Sequence, residues 1–236
     1  MPNPDFPDPA SSNPLAAECL RCPALVAARE RICWGVGPRD ASVVVVGEAP
    51  AAGEPDADRW QGGNWTGMAY TGRHSGRKIR EMCEQLSLEE AYFTNAVKCF
   101  PSAAIEPVET GRENAGGTDG IDRIDEADET DNREPTAEER ANCRPYLRRE
   151  IEEVGPACVL ATGGHATRSL LAVENRTVES FLDLTLEVQD CPTLEVPVLP
   201  VLHPSYQEVW ISRLGYSYGG YIEAVRQELR ALGALR

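Results

Sequence analysis

Four cysteines and a few polar residues that follow apolar runs carry the chemistry this chain could do. Cys19 and Cys22 form a C-x-x-C pair, Cys99 closes an apolar run, and Cys143 lies within a helical pattern downstream. Thiolates are soft ligands, and four of them suit either tetrahedral zinc or an iron–sulfur cluster, a choice that spacing alone leaves open. The other four cysteines, Cys33, Cys83, Cys158 and Cys191, lie within or beside apolar stretches and read as small hydrophobes. The segment Met1 to Asn13 has neither a basic start nor an apolar stretch, so the chain reads as unsecreted and cytoplasmic. There thiols stay reduced, and eight cysteines are not a disulfide framework.

The elements that must position these residues show in the hydrophobic pattern. Ser42 to Val46 is a continuous β-branched run stopped by Gly47, as expected of a strand buried on both faces. Similar runs occur at Ala91 to Val97, Cys158 to Thr162 and Val196 to Leu202. Helical patterns lie between them at Ser75 to Leu86, Thr136 to Val154 and His165 to Ala172, and Tyr221 to Leu232 closes the chain. A short apolar segment, Pro23 to Ile32, also looks helical, and Thr136 with Glu139 forms a capping box behind Pro135. Strands alternating with helices imply an α/β fold with a parallel sheet covered on both faces, whose site lies at the carboxyl ends of the strands. Those ends carry Glu48 and Ala49 in Gly47-Glu48-Ala49-Pro50, then Asn95, Gly163-Gly164-His165, and His203 with Ser205 in His203-Pro204-Ser205-Tyr206.

Composition narrows the partners. The chain has 236 residues, one to two domains by length, with 42% hydrophobic and 26% charged residues, and no apolar run long enough to span a bilayer. Its net charge of −15 would ordinarily argue against nucleic acid, but much of the excess is local. Ten acids against two arginines lie between Ala103 and Asp131, a stretch with glycine pairs and no apolar periodicity, which reads as a solvated acidic insertion. Only Lys78 and Lys98 are lysines, a surface chemistry that suggests a salt-adapted host. Residues 1–18, with prolines and paired serines, read as a flexible leader, and residues 19–236 as one domain.

Five strings in order, GEAP, YTGRHSG, TNAVKC, NREPTAEERANCRPYL and HPSY, resemble the uracil-DNA glycosylase superfamily. They resemble most its iron–sulfur branch, the family-4 type, while GGNWTGMAYTG leans toward family 5. The resemblance implies a four-stranded parallel sheet sandwiched by helices and a [4Fe-4S] cluster on Cys19, Cys22, Cys99 and Cys143. It also implies hydrolysis of the bond between uracil and deoxyribose in single- or double-stranded DNA, by a protein with no membrane association, expected to be a monomer. Tyr70 falls where the family stacks an aromatic ring on the flipped uracil, and Asn95 where an asparagine reads it. His203 falls where a donor meets the O2 of the leaving base. Ala49 and Ser205 complete the substrate set, Ser205 by pinching the DNA backbone, and Arg73, Arg77 and Lys78 add a positive patch. Two glutamates can orient the attacking water: Glu54, six residues beyond Glu48, is the expected base, and Glu48 the expected loop-shaping residue. The rival reading is a non-catalytic metal-binding nucleic-acid module with a vestigial pocket; a redox protein using Cys19 and Cys22 leaves the HPSY and TNAVKC ends unexplained.

Overall fold

The computed structural model describes residues 5–55, 59–88, 90–105, 131–204 and 207–235, and of Arg59, Arg73, His74 and Glu208 the backbone alone. Its frame is a four-stranded, all-parallel sheet of β1 (Val43–Gly47), β2 (Tyr92–Asn95), β3 (Cys158–Thr162) and β4 (Val198–Val201) in the order β2-β1-β3-β4. All four strands are fully buried, which explains why they read as unbroken apolar runs instead of alternating ones. Alternation is present in the packing. Val43 and Val45 face one layer of core and Val44 and Val46 the other.

Helices cover both faces. The first layer comes from α2 (Arg73–Gln85), α6 (Gln207–Arg213) and α7 (Tyr218–Ala231), which bury Ile79, Met82, Ile211, Tyr221 and Val225 against the sheet. The second comes from α3 (Ala137–Val154) and α4 (Gly164–Leu171), through Leu147, Ile151, Ala166 and Leu170. Two short helices complete the fold: α1 (Pro23–Ala28), whose Leu25 is buried beside Cys99 and Cys143, and α5 (Phe181–Leu184), which packs Phe181 and Leu182 on the first layer and Leu184 on the second. The capping box at the start of α3 forms as the sequence predicts: Thr136 Oγ1 accepts from the Glu139 amide at 3.1 Å and the Glu139 carboxylate accepts from the Thr136 amide at 2.8 Å. Gly155, with φ of 59°, ends the helix in the left-handed conformation that glycine adopts at least cost.

The sequence expectation differs in three places. The strands β2 and β4 are shorter than their apolar runs, and β4 carries Pro200, tolerated because β4 is an edge strand. Helices α5 and α6 were not expected; each is too short to show a 3.6-residue period. The expected leader is docked over part of its length: Ser12 bridges Val36, the Asn13 amide donates to the Gly35 carbonyl at 2.8 Å, and buried Asn13 donates to Glu153 at 3.0 Å. Among the described residues no helix is long and apolar enough to cross a membrane.

The acidic insertion at 103–131 lies mostly outside the described residues, but its two ends meet. Ser102 bridges Asn132, and the Ala103 amide donates to the Asp131 carbonyl at 2.8 Å. Joining Ser102 to Asn132 through a short glycine linker should therefore keep a single cooperative melt, with a midpoint equal or higher at low salt. Closing a shorter loop costs less entropy, by about 0.6 kcal/mol per halving of its length. Circular dichroism melts of the two proteins check this, and a lost or broadened transition would show that the insertion supports the fold.

Candidate active site at the carboxyl edge of the sheet

A cleft of about 310 Å³ opens over the carboxyl ends of β1 and β2, where open α/β sheets place their ligands. Gly47, Glu48, Ala49, Tyr70, Asn95 and His203 line it together. Parallel register sets two of these side by side, since Gly47 pairs with Asn95 across β1 and β2. Glycine is required at that point: a Cβ on Gly47 would lie 2.5 Å from Asn95 Oδ1 and 2.7 Å from the Tyr70 hydroxyl. Asn95 is buried, so its carboxamide is committed to the cleft, where hydrogen-bonding groups discriminate most sharply.

Tyr70 is held in a backbone conformation that bulky residues avoid, with φ of 56°. Thr71 Oγ1 donates to the Met68 carbonyl at 2.9 Å and meets Thr66 Oγ1 at 2.5 Å, and the Gly63 amide donates to the Thr71 carbonyl, so the turn is determined from several sides. The ring lies edge-on to Phe93, and its hydroxyl meets Thr162 Oγ1 at 2.5 Å, tying the turn before α2 to β3. Burial pushes the Tyr70 phenol far up, so the ring stays neutral.

His203 follows β4, whose end is fixed by the Tyr221 hydroxyl accepting from the Leu202 amide at 2.8 Å. Burial first, and His165 second, lower the His203 pKa to about 4, so at neutral pH it is an uncharged imidazole able to donate one N–H. Beside it His165, at the start of α4, places Nδ1 3.0 Å from Glu134 and 4.0 Å from Glu48. Arg140 in turn donates to Glu134 at 2.9 Å. Burial raises the Glu48 carboxyl above its ordinary range and Glu134 adds to this, while His165 opposes it.

The sequence reading placed the water-handling carboxylate at Glu54, and here the structure differs. Glu54 is exposed and lies outside the lining of the cleft, its amide donating to Gln61, whereas Glu48 lines the cleft. Six residues of spacing do not deliver Glu54 because the loop after Pro50 folds back on residues 61–64, with Asn64 bonded to Ala51 and Ala52. Ser205 lies outside the described residues. Glu134 and Arg168 were not singled out in the sequence; the pairing of Glu134 with a histidine far along the chain left no local signal.

Cys19, Cys22, Cys99 and Cys143 line a separate small cleft, brought together from the N-terminal segment, the turn after β2 and α3. Arg29 donates to Cys99 Sγ at 3.3 Å and Asn142 to Cys22 Sγ at 3.5 Å. Burial pushes the Cys143 thiol up to about 12 and also raises Cys22 and Cys99, with neighbouring sulfurs adding to each. Four thiolates so placed need cationic charge among them before they can coexist. The remaining four cysteines are buried and free, as small hydrophobes should be.

A family model described as "Uracil DNA glycosylase superfamily" matches residues 34–225. Curated relatives include a type-5 uracil-DNA glycosylase from Pyrobaculum aerophilum, 31% identical over 69% of this chain and 69% of its own length. A type-4 uracil-DNA glycosylase from Saccharolobus solfataricus is 29% identical over 70% of this chain and 59% of that protein. Another type-4 enzyme, from Archaeoglobus fulgidus, is 27% identical over 72% and 69% respectively.

Replacing Gly47 by Ala should push the Asn95 carboxamide and the Tyr70 hydroxyl out of register without unfolding the sheet. Nuclear magnetic resonance of the Asn95 side-chain amide should show a large shift, with the melting temperature within a few degrees of the parent. Unmoved Asn95 resonances would mean that Gly47 does not hold the cleft open.

Proposed function

The chain belongs to the uracil DNA glycosylase superfamily and is a hydrolase acting on N-glycosyl bonds, and on that premise we propose how its residues remove uracil from DNA. The observation that carries the assignment of roles is the convergence of Asn95, Tyr70, His203 and Glu48 on one cleft of about 310 Å³. A base in a duplex is out of reach until it leaves the stack, at a cost of a few kcal/mol that the pocket must offset. Tyr70 offers the ring on which the flipped uracil rests, worth about 1–3 kcal/mol. Asn95 accepts from N3–H and donates to O4; cytosine presents the opposite pattern and leaves the buried amide unpaired.

Cleavage leaves charge on the base and on the sugar. As the uracil anion departs, His203 donates its N–H toward O2, a hydrogen bond that strengthens as charge develops. Because its pKa is about 4, the imidazole keeps the neutral donor form without competing for a proton. Glu48 takes the role first expected of Glu54: it orients water and steadies the oxocarbenium-like sugar. Ala49 lines the same cleft and leaves room at the base edge. Arg168, which lines the cavity beside the cleft, offsets the acidity of the chain toward the DNA backbone.

We assign the four clustered cysteines to a [4Fe-4S] group, the ligand set that the resemblance to the iron–sulfur branch implies. As placed, no group of three or more His, Cys, Asp or Glu side chains among the described residues could hold a metal ion, and the four cysteines share the lining of one small cleft. When bound, the cluster would cross-link the N-terminal segment, the turn after β2 and α3, a structural task. Arg29 and Asn142 donate toward its ligands and would stabilise their charge.

Glu48→Gln should slow single-turnover release of uracil by about 10²–10⁴-fold, and Glu54→Gln should leave it nearly unchanged. In the parent the rate should fall as pH drops through the raised Glu48 pKa, since the carboxylate must be ionised, and Glu48→Gln should remove that limb. His203 does not produce it, because it stays neutral down to about pH 4. The reverse ranking of the two variants would return the role to Glu54.

Protein prepared without oxygen should be brown, with about four irons and acid-labile sulfide per chain. Cys143→Ser should lose iron and melt lower, because a link closing long loops is lost. Stoichiometric zinc in the native protein would overturn the cluster assignment.

A further inference from the structure

A second cavity, of about 650 Å³, adjoins the base cleft and shares Glu48 and His203 with it. It lies over the carboxyl ends of β3 and β4, whereas the base cleft lies over β1 and β2. Phe181 from α5 and Trp210 from α6 line it, and Arg168 from α4 reaches it from an exposed position. Two glycines form part of its lining. A Cβ on Gly164 would lie 3.2 Å from Arg168 Nη1 and 3.4 Å from Phe181 Cβ, and one on Gly163 would lie 3.0 Å from His203 Cβ. Bare backbone at both positions lets the arginine, the phenylalanine and the histidine approach one another. Among the described lining residues Glu48 is the only carboxylate, against Arg168 and two histidines.

We propose that this cavity receives the nucleotide adjoining the flipped uracil in the same strand, with its base against Phe181 and Trp210 and its phosphate toward Arg168. The inference rests on the reading of the base cleft given above. Continuity is the first argument: a nucleotide whose base sits in the cleft carries its neighbour along the same backbone, and the second cavity begins at the wall where the first ends. The second argument is chemical. Flipping a base strips its neighbour of a stacking partner, and two aromatic side chains replace that partner for any base, because every base has a π-face. Arg168 suits the intervening phosphate, since guanidinium matches its oxygens in charge and shape. The uracil chemistry itself uses neither aromatic ring, so the cavity has a task separable from catalysis.

The test uses single-stranded oligonucleotides with one uracil in which the nucleotide on either side is replaced, one at a time, by an abasic tetrahydrofuran spacer. Single-turnover uracil release by the unaltered protein is measured against enzyme concentration. One of the two spacers should raise the half-saturating concentration about tenfold while leaving the maximal rate nearly unchanged, and the other should not. Phe181→Ala should raise the same concentration by a similar factor on the parent oligonucleotide and add little on that spacer substrate. Trp210→Phe, which keeps an aromatic wall, should stay near the parent value. Uracil release indifferent to both spacers, or a Phe181→Ala effect that multiplies with the spacer effect, would overturn the proposal. No release from any of the oligonucleotides would instead sink the reading of the base cleft.

Discussion

The Lys98 ammonium and the Glu150 carboxylate meet at 2.6 Å with side chains 1% and 0% exposed, and the site is arranged around that contact. Two charges removed from water are stable together only when their remaining hydrogen-bonding capacity is met, and removing one partner of such a pair costs about 3–5 kcal/mol. Here it is met. Lys98 Nζ also donates to Thr94 Oγ1 and to the Asn95 carbonyl, and Glu150 accepts from Thr94 and from the Gly35 amide. The pair thus ties the end of β2 to α3. Asn95, which lines the cleft, is bonded to it through the main chain; Cys99 follows Lys98 directly, and Cys143 lies on the same buried side of α3 as Glu150. A single interior contact holds Asn95 and two of the four clustered thiols in one frame.

The same reasoning explains what could be read from the sequence. Strands buried on both faces show as unbroken β-branched runs, so the sheet and its carboxyl ends were legible, and with them Glu48, Asn95 and His203. The capping box of α3 was legible because its two members are three residues apart. Contacts between distant segments were not. Asn13 bonds Glu153, and His165 lies against Glu134, so the docking of the N-terminal stretch and the charge cluster beside Glu48 had no local trace. Glu54 stands outside the lining of the cleft for a related reason: its distance from Glu48 along the chain is short, but the loop path depends on contacts with residues 61–64. A lysine inside the apolar run Ala96-Val97-Lys98-Cys99-Phe100, in a chain with one other lysine, marks a charge that must be paired inside.

Electrostatics and strain meet at the cleft. The chain is acidic as a whole, and a substantial part of its excess sits in the stretch 103–131 of the sequence. At the cleft itself, burial works in opposite senses on two neighbours, raising the Glu48 carboxyl and lowering His203. In the proposed roles, the first would keep a carboxylate basic enough to handle water and the second an imidazole neutral enough to donate without surrendering a proton. Tyr70 bears the backbone strain between them, fixed by the threonines of its turn and by Thr162.

Single-turnover release of uracil and of cytosine from matched oligonucleotides, compared between the parent and Asn95→Asp, tests most directly whether this cleft reads the base. A carboxylate in place of the amide loses the donor to O4, so uracil release should fall by about 10²-fold or more, with cytosine release faint and the melting temperature little changed. Uracil release unchanged in Asn95→Asp would contradict the assignment and remove Asn95 from base recognition.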